Sequence, residues 1–307
     1  NISFIFLATF VIMIFISIHL FPHEIKNFQR IVESLNDATY FVKNLEEIIL
    51  DVSLNINAEI VNMKSIDISN LISIFSKCEL NSKIKPNFKI ISDKNFLGVN
   101  EHRRSTISTA KQSDYILFLD CDLYFDKKIL ANQINAIDLV GQNSDFFVIS
   151  PQVVKLWDTT WDCIVNETYL NKSHNFYKKV NPNKIIQKNH GDVKLTSCNT
   201  FKWGGGWFNV ISANLLKLIG IPNTFKGYGP DDTFVMECCK YMKSKNMNVQ
   251  QYILKNMVVV EDRFYQQPDS SLKNNITNFR ENANKHFYME LGFFKKKIND
   301  TIYNHGL

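Results

Sequence analysis

Two pairs of aspartates stand where carboxylates can do chemistry. Asp120 and Asp122 follow the apolar run Tyr115-Ile116-Leu117-Phe118-Leu119. On an extended chain, side chains at i and i+2 point the same way, so a buried strand running into this pair can aim both carboxylates into one cleft. Hard divalent cations such as Mn²⁺ or Mg²⁺ take oxygen ligands and bridge readily to diphosphate. The bland reading of the same residues is two acids in a solvated turn. Asp231 and Asp232 follow Gly227-Tyr228-Gly229-Pro230 and precede an apolar helical run, Phe234, Val235, Met236, Cys238 and Cys239. One of these acids reads as a helix N-cap, and the other as a general base at the edge of a pocket.

Further groups can complete such a site. Gly98 permits a tight turn after Asp93-Lys94-Asn95-Phe96-Leu97, and Arg103 and Arg104 follow it. An arginine there can pair with phosphate, or the two arginines are a surface pair beside an ordinary loop. Trp203-Gly204-Gly205-Gly206-Trp207 sets flat apolar rings beside glycines that let backbone approach a ligand, which suits a sugar ring. After the strand-like Met257-Val258-Val259-Val260 come Glu261 and Asp262, either an oxygen ligand or surface acids. Trp157-Asp158 and Trp161-Asp162 repeat at helical spacing and read first as core packing.

Alternating elements position these groups. An apolar strand is expected over Ile12–Leu20, then a helix through Ile25, Phe28, Ile31, Val32 and Leu35. A strand follows at Ile48–Leu54, a helix at Ile68–Ser76 and a strand at Phe88–Ile91. Next come a helix at Glu101–Gln112 and the strand that delivers Asp120. Such repeats give an α/β fold with a mostly parallel central sheet and helices on both faces, because parallel neighbours need crossovers. Ligands in such sheets bind beyond the carboxyl ends of the strands. That rule lines up His19 to Glu24, Asn55 to Asn57, Asp93 to Gly98 and Asp120 to Asp122 along one rim.

The chain has 307 residues, 45% of them hydrophobic and 21% charged, which suits a globular protein with a sizeable core. Its formal charge of +5 suits anionic substrates or an acidic membrane surface, but is too small and dispersed for nucleic-acid binding. The six cysteines form no C-x-x-C pair, so a structural metal site is not expected and a reducing, cytoplasmic setting is. Residues 2–20 carry no charge, and three readings compete for them. They are a membrane anchor, a signal peptide or an apolar leader before a core strand; the absence of a basic n-region argues against the second.

In order and spacing, the first half resembles the donor-binding half of GT-A fold (Rossmann-like) glycosyltransferases, especially family 2. The resemblance rests on the Phe21-Pro22-His23-Glu24 loop, Asn95-x-x-Gly98 with Arg103, and Phe118-Leu119-Asp120-Cys121-Asp122. The second half is similar to a galactosyltransferase-type acceptor region. It carries Gly205-Gly206, Ile219-Gly220-Ile221-Pro222-Asn223 and Gly227-Tyr228-Gly229-Pro230-Asp231-Asp232. The likeness covers Ile12 to Asp262 and implies a division into an apolar leader (1–11), a donor half (12–130), an acceptor half of the same domain (131–265) and a helical tail (266–307).

What the resemblance implies is an inverting, Mn²⁺- or Mg²⁺-dependent glycosyltransferase of polysaccharide biosynthesis. Its donor would be a nucleotide-diphospho-sugar, UDP-sugar favoured, and its acceptor a glycan or glycolipid hydroxyl. Asp120 and Asp122, with Glu261, would hold the metal, and Asp232 with Asp231 would be catalytic. His19, Phe21, Pro22, Glu24, Asn55, Asp93, Gly98, Arg103 and Cys121 would surround the donor. Trp203, Gly204, Gly205, Gly206, Trp207 and Tyr228 would meet the acceptor or sugar. Two departures stand out: Pro230 replaces the family's usual glycine, and its late metal-ligand histidine is not evident. The alternatives are a sugar-nucleotide nucleotidyltransferase, although the loop after the first strand lacks that class's glycines, and a non-catalytic carbohydrate-binding protein.

Overall fold

A computed structural model describes residues 12–43, 45–141, 143–156, 181–186, 192–198, 201, 208–262 and 270–305. The first half alternates strictly: β1 (Ile12–Leu20), α1 (Ile25–Thr39), β2 (Leu45–Asn55), α2 (Ile68–Ser76), β3 (Ile84–Ile91), α3 (Val99–Thr109) and β4 (Tyr115–Phe118). Then come β5 (Leu123–Tyr124), α4 (Ile129–Val140), β6 (Phe146–Leu156), α5 (Pro182–Ile186), β7 (Leu195–Ser197) and β8 (Val210–Ser212). The chain continues through α6 (Ala213–Ile219), α7 (Asp231–Ser244), β9 (Val249–Asp262) and α8 (Ser270–His305).

Among the described residues nine strands form one sheet, in the order β3-β2-β1-β4-β8-β6-β9-β5, with β7 also on β9. The long ladders β1–β2, β2–β3 and β6–β9 and the shorter β1–β4 ladder are parallel. The antiparallel pairings, β4–β8, β6–β8, β5–β9 and β7–β9, are short. The fold is therefore mixed α/β with a mostly parallel sheet. Chain order reverses beside β1, between β2 and β4, and a crevice opens beyond the strand ends at such a point.

Side-chain alternation assigns the two faces. Ile14, Ile16, Ile18 and Leu20 of β1, with Ile48, Leu50, Val52 and Leu54 of β2, pack under α1, α2 and α4. On the other face Phe15, Ile116, Phe118 and Ile211 meet Ile107 of α3 and residues of α6, α7 and α8. The uncharged stretch through Leu20 is thus a core strand from Ile12 onward, its apolar residues covered on both faces of the sheet. The leader 1–11 lies outside the described residues, and no described helix is long and apolar enough to cross a membrane.

Several elements run longer than their sequence patterns suggest. β2 and β3 begin at Leu45 and Ile84, ahead of their apolar centres. β9 starts at Val249, well before Met257, and its register with β6 shifts between Pro151 and Gln152. That irregularity breaks the period-two signal a continuous strand would give. α3 spans Val99–Thr109, so Gly98 is its N-cap and Arg103 lies mid-helix.

Candidate active site

β4 ends at Phe118, and the chain turns at once through Asp120, Cys121 and Asp122 before β5 pairs with β9. Cys121 is buried in the core between the two acids. The Asp122 carbonyl accepts from the Asp262 N–H at 2.9 Å. Leu123 stands opposite Glu261 in the ladder, so the late acidic pair lies beside the strand-end turn. Among the described residues no group of three or more His, Cys, Asp or Glu side chains converges as a closed metal cage.

The second acidic pair opens α7. Pro230 is the N-cap and makes no side-chain cap, so Asp231 and Asp232 occupy the first turn and neither serves as the N-cap that the sequence suggested. Their charges still lie at the positive end of the helix. Asp232 accepts from the Thr233 N–H at 2.6 Å.

One side chain joins the two pairs. Arg103 donates from Nη1 to Asp231 Oδ2 at 2.7 Å and from Nη2 to Asp120 Oδ1 at 3.1 Å. Burial pulls the Arg103 pKa down, but Asp231, Asp120 and Asp232 outweigh it and hold the guanidinium charged. Burial, then the neighbouring Asp231, push Asp232 up to about 7 against the opposing pull of Thr233, Arg103 and Arg280. Two acids from distant parts of the chain thus share one cation, while Asp232 keeps a proton affinity near neutrality.

α3 is the beam that makes this possible. Glu101 Oε2 accepts from Gly98 N–H and from Gly227 N–H, each at 3.0 Å. Arg104 donates to the carbonyls of Pro222 and Phe225 at 2.9 and 3.0 Å. Asn100 N–H reaches the Gly227 carbonyl at 3.0 Å. A Cβ on Gly98 would sit 2.9 Å from that same carbonyl oxygen, so the two loops close only around a glycine. Gly227 has φ +64° and packs under the Phe279 ring, which excludes a side chain on both counts.

Beyond Phe15 and Ile49, the α3-facing side of β1 and β2 turns polar. Asp51, almost fully buried, accepts from Thr106 at 2.6 Å, Asn87 at 2.8 Å and Lys89 at 3.1 Å. Ser17 lies 2.9 Å from the Thr106 hydroxyl. His102 Nε2 meets the Asp51 carbonyl at 3.0 Å. A carbonyl only accepts, so this nitrogen carries the proton. Burial brings the His102 pKa down to about 4, so the ring is neutral near pH 7. His19 is also held neutral, by burial and then by His102 and Arg103, with Nδ1 on Ser53 at 2.7 Å. Its Nε2 and the Asn55 Nδ2 have no hydrogen-bond partner among the described residues.

The remaining rim residues divide between support and exposure. Phe21 is buried with Ile60, Val61 and Leu272, and its N–H donates to Glu24 at 2.8 Å. Pro22 is buried beside it. Asp93 is exposed, and its carbonyl accepts from Asn57 Nδ2 at 3.1 Å. Trp203, Gly204, Gly205, Gly206 and Trp207, like Trp157 and Trp161, lie outside the described residues.

Sequence reasoning missed three contributors. Glu101 carries a capping signal visible beforehand, a Glu three residues after Gly98, but nothing hinted at its reach to Gly227. Arg30, on α1, bonds the carbonyls of Cys121 and Leu123. α8, expected only as a helical tail, sets Phe279 against Gly227, Arg280 over the Tyr228 ring at 5.5 Å and Ala283 against Gly229.

No protein-family model and no curated protein matches the sequence. Among solved structures, the chain is similar to S. aureus TarS 1-349 in complex with UDP-GlcNAc, at a TM-score of 0.49 and 12% identity, covering 85% of this chain and 60% of that one. It is also similar to GalNAc-T7 with UDP, GalNAc and Mn²⁺, at 0.45 and 10%, covering 88% of this chain and 47% of that one. The chain thus spans less than two thirds of each of these two structures. Likenesses this remote carry no functional argument, and the chemistry rests on the side chains above.

Proposed function

We propose that this protein is a glycosyltransferase of the GT-A type. It moves a hexose or N-acetylhexosamine from a nucleotide-diphospho-sugar, UDP-sugar favoured, to a hydroxyl of a glycan or glycolipid, with inversion. The observation that carries this reading is the Arg103 bridge, which ties Asp120 of the strand-end pair to Asp231 of the helix-start pair.

The donor end is Asp120 and Asp122, carboxylate ligands in a turn whose backbone is fixed, with Glu261 beside it in the ladder. Carboxylate oxygens are the donors that a hard divalent cation takes, so Asp120 and Asp122, with Glu261, would hold one. Such a cation, when bound, supplies charge stabilisation to the departing diphosphate. Asp232 removes the acceptor proton; a carboxylate with a pKa near 7 is a stronger base than an ordinary one and is still ionised in a substantial fraction at neutral pH. The new bond forms from the acceptor oxygen to the anomeric carbon as the bond to diphosphate breaks. Both electrons of the broken bond leave on the phosphate oxygen. Arg103 holds Asp120 and Asp231 together so that donor and acceptor ends keep register. Tyr228 offers a ring face at the acceptor edge.

The experiment is a nucleotide-sugar panel with Mn²⁺, scored for nucleotide release by the wild type, Asp122→Ala and Asp232→Asn. Release of nucleoside diphosphate is expected. Asp122→Ala should lose turnover, and Asp232→Asn should lose about 10²- to 10⁴-fold while keeping donor affinity. Pyrophosphate release from a nucleoside triphosphate would instead indicate a nucleotidyltransferase, and sugar binding without release a lectin. Undiminished turnover in Asp232→Asn would remove that residue from the mechanism.

A further inference from the structure

Behind the strand-end turn, on the face away from Arg103, a second arginine is anchored in an unusual way. Arg30 projects from α1 and donates from Nη1 to the Leu123 carbonyl at 2.6 Å and from Nη2 to the Cys121 carbonyl at 2.7 Å. These two carbonyls flank Asp122. The carbonyl between them, that of Asp122 itself, accepts from the Asp262 N–H at 2.9 Å. Three successive peptide oxygens of the turn are therefore all committed, two of them to one guanidinium. The Arg30 Cζ lies 3.7 Å from the centroid of the Tyr124 ring, which fixes the guanidinium plane on its other side. Asp122 and Asp262 lie within its field.

We propose that Arg30 is a positioning residue: its fork clamps the backbone on either side of Asp122 and so sets the direction in which the Asp120 and Asp122 carboxylates point. The physical case is one of geometry and charge together. A short turn between two strands of two and four residues has little ladder of its own to hold it. A ligand pair loses affinity when its carboxylates must be ordered at the moment of binding, and fixed geometry removes that cost. The planar guanidinium spans two carbonyls at a fixed separation, which a lysine ammonium, a single point of charge, does not reproduce. The cation reaches the turn through backbone carbonyls, so its charge acts on Asp122 and Asp262 without occupying their side-chain oxygens.

The clamp itself rests on the hydrogen bonds above, and only the identity of what the turn holds rests on the nucleotide-sugar reading. The test therefore has two arms, both on the full chain, with Arg30→Ala and Arg30→Lys. The first is amide hydrogen exchange without any ligand. Exchange of the Leu123 and Asp262 N–H groups should quicken about tenfold in both variants, with helices α7 and α8 unchanged. The second is titration with Mn²⁺ and UDP, read by the manganese spin resonance. Both variants should bind about tenfold more weakly. If Arg30→Ala proves too unstable to purify, Arg30→Lys carries the test alone. Wild-type exchange and wild-type Mn²⁺–UDP affinity in Arg30→Lys would overturn the proposal, because charge and stem without the fork would then suffice. A wild-type protein that fails to bind Mn²⁺–UDP would sink the nucleotide-sugar reading instead, and the exchange arm would still decide whether Arg30 sets the turn.

Discussion

The two acidic pairs are built by opposite means. Asp120 and Asp122 sit on a turn held from behind through its backbone, by Arg30 and by the Asp262 N–H. Asp231 and Asp232 begin a helix whose loop is held from the front and side, by Glu101 at Gly227 and by Arg103 at Asp231. The backbone-held pair leaves side-chain direction to the strand and suits a fixed ligand shell. The side-chain-held pair leaves its acids coupled to one another, and burial first, then that coupling, raises Asp232 toward neutrality. Arg103 belongs to both, so it is where the contrast is most exposed to test.

Arg103→Met should have the largest effect on stability. It strands the nearly buried Asp231 beside its neighbour, and breaking a buried pair from one side costs about 3–5 kcal/mol. Urea unfolding measures it, and a loss below about 1 kcal/mol would mean that the two pairs are held independently. Next is Gly98→Ala, whose Cβ would press on the Gly227 carbonyl. A loss of about 1–3 kcal/mol is expected. A silent substitution would show that the helix-start loop does not depend on α3 for its place.

The smallest effect is a pH signature. Asp232 has its folded pKa raised above 3.8, to about 7, so the folded state holds this proton more tightly than the unfolded chain does. Its contribution to stability is full at low pH and falls as pH rises from about 4 through about 7. Asp232→Asn removes that loss, so the variant should gain on the order of 1 kcal/mol at pH 8, after discounting for partial solvent access, and less at pH 5. Turnover of the wild type should climb through pH 7 as the same carboxylate ionises, with Asp231, Arg103 and Arg280 as its charged neighbours. A melting temperature that shifts equally at both pH values would separate Asp232 from the coupled behaviour assigned to its pair.

Much of the frame was legible because it is local. β1 begins and ends where the uninterrupted apolar run predicts, and α2 matches its periodic pattern residue for residue. The apolar run Tyr115–Leu119 delivers Asp120, and the Gly-x-Gly-Pro turn delivers Asp231 and Asp232, so both pairs were recognisable as residues. Their relation was not. Arg30 reads as the polar side of an amphipathic helix, yet its partners lie more than ninety residues away in sequence. Asp51 looks like an interruption in a hydrophobic strand until Thr106, Asn87 and Lys89 surround it.

Hydrophobic period and turn chemistry act between near neighbours, so the sequence by itself determined which segments become strands and helices and where the acids fall on them. Whether two acids meet depends on strand order, on which face each helix covers and on the register of loops brought together from distant parts of the chain. Those are products of packing the whole chain at once, and only the tertiary structure decided that Arg103 should stand between Asp120 and Asp231, that Arg30 should reach behind Asp122, and that α8 should close over the Gly227 turn.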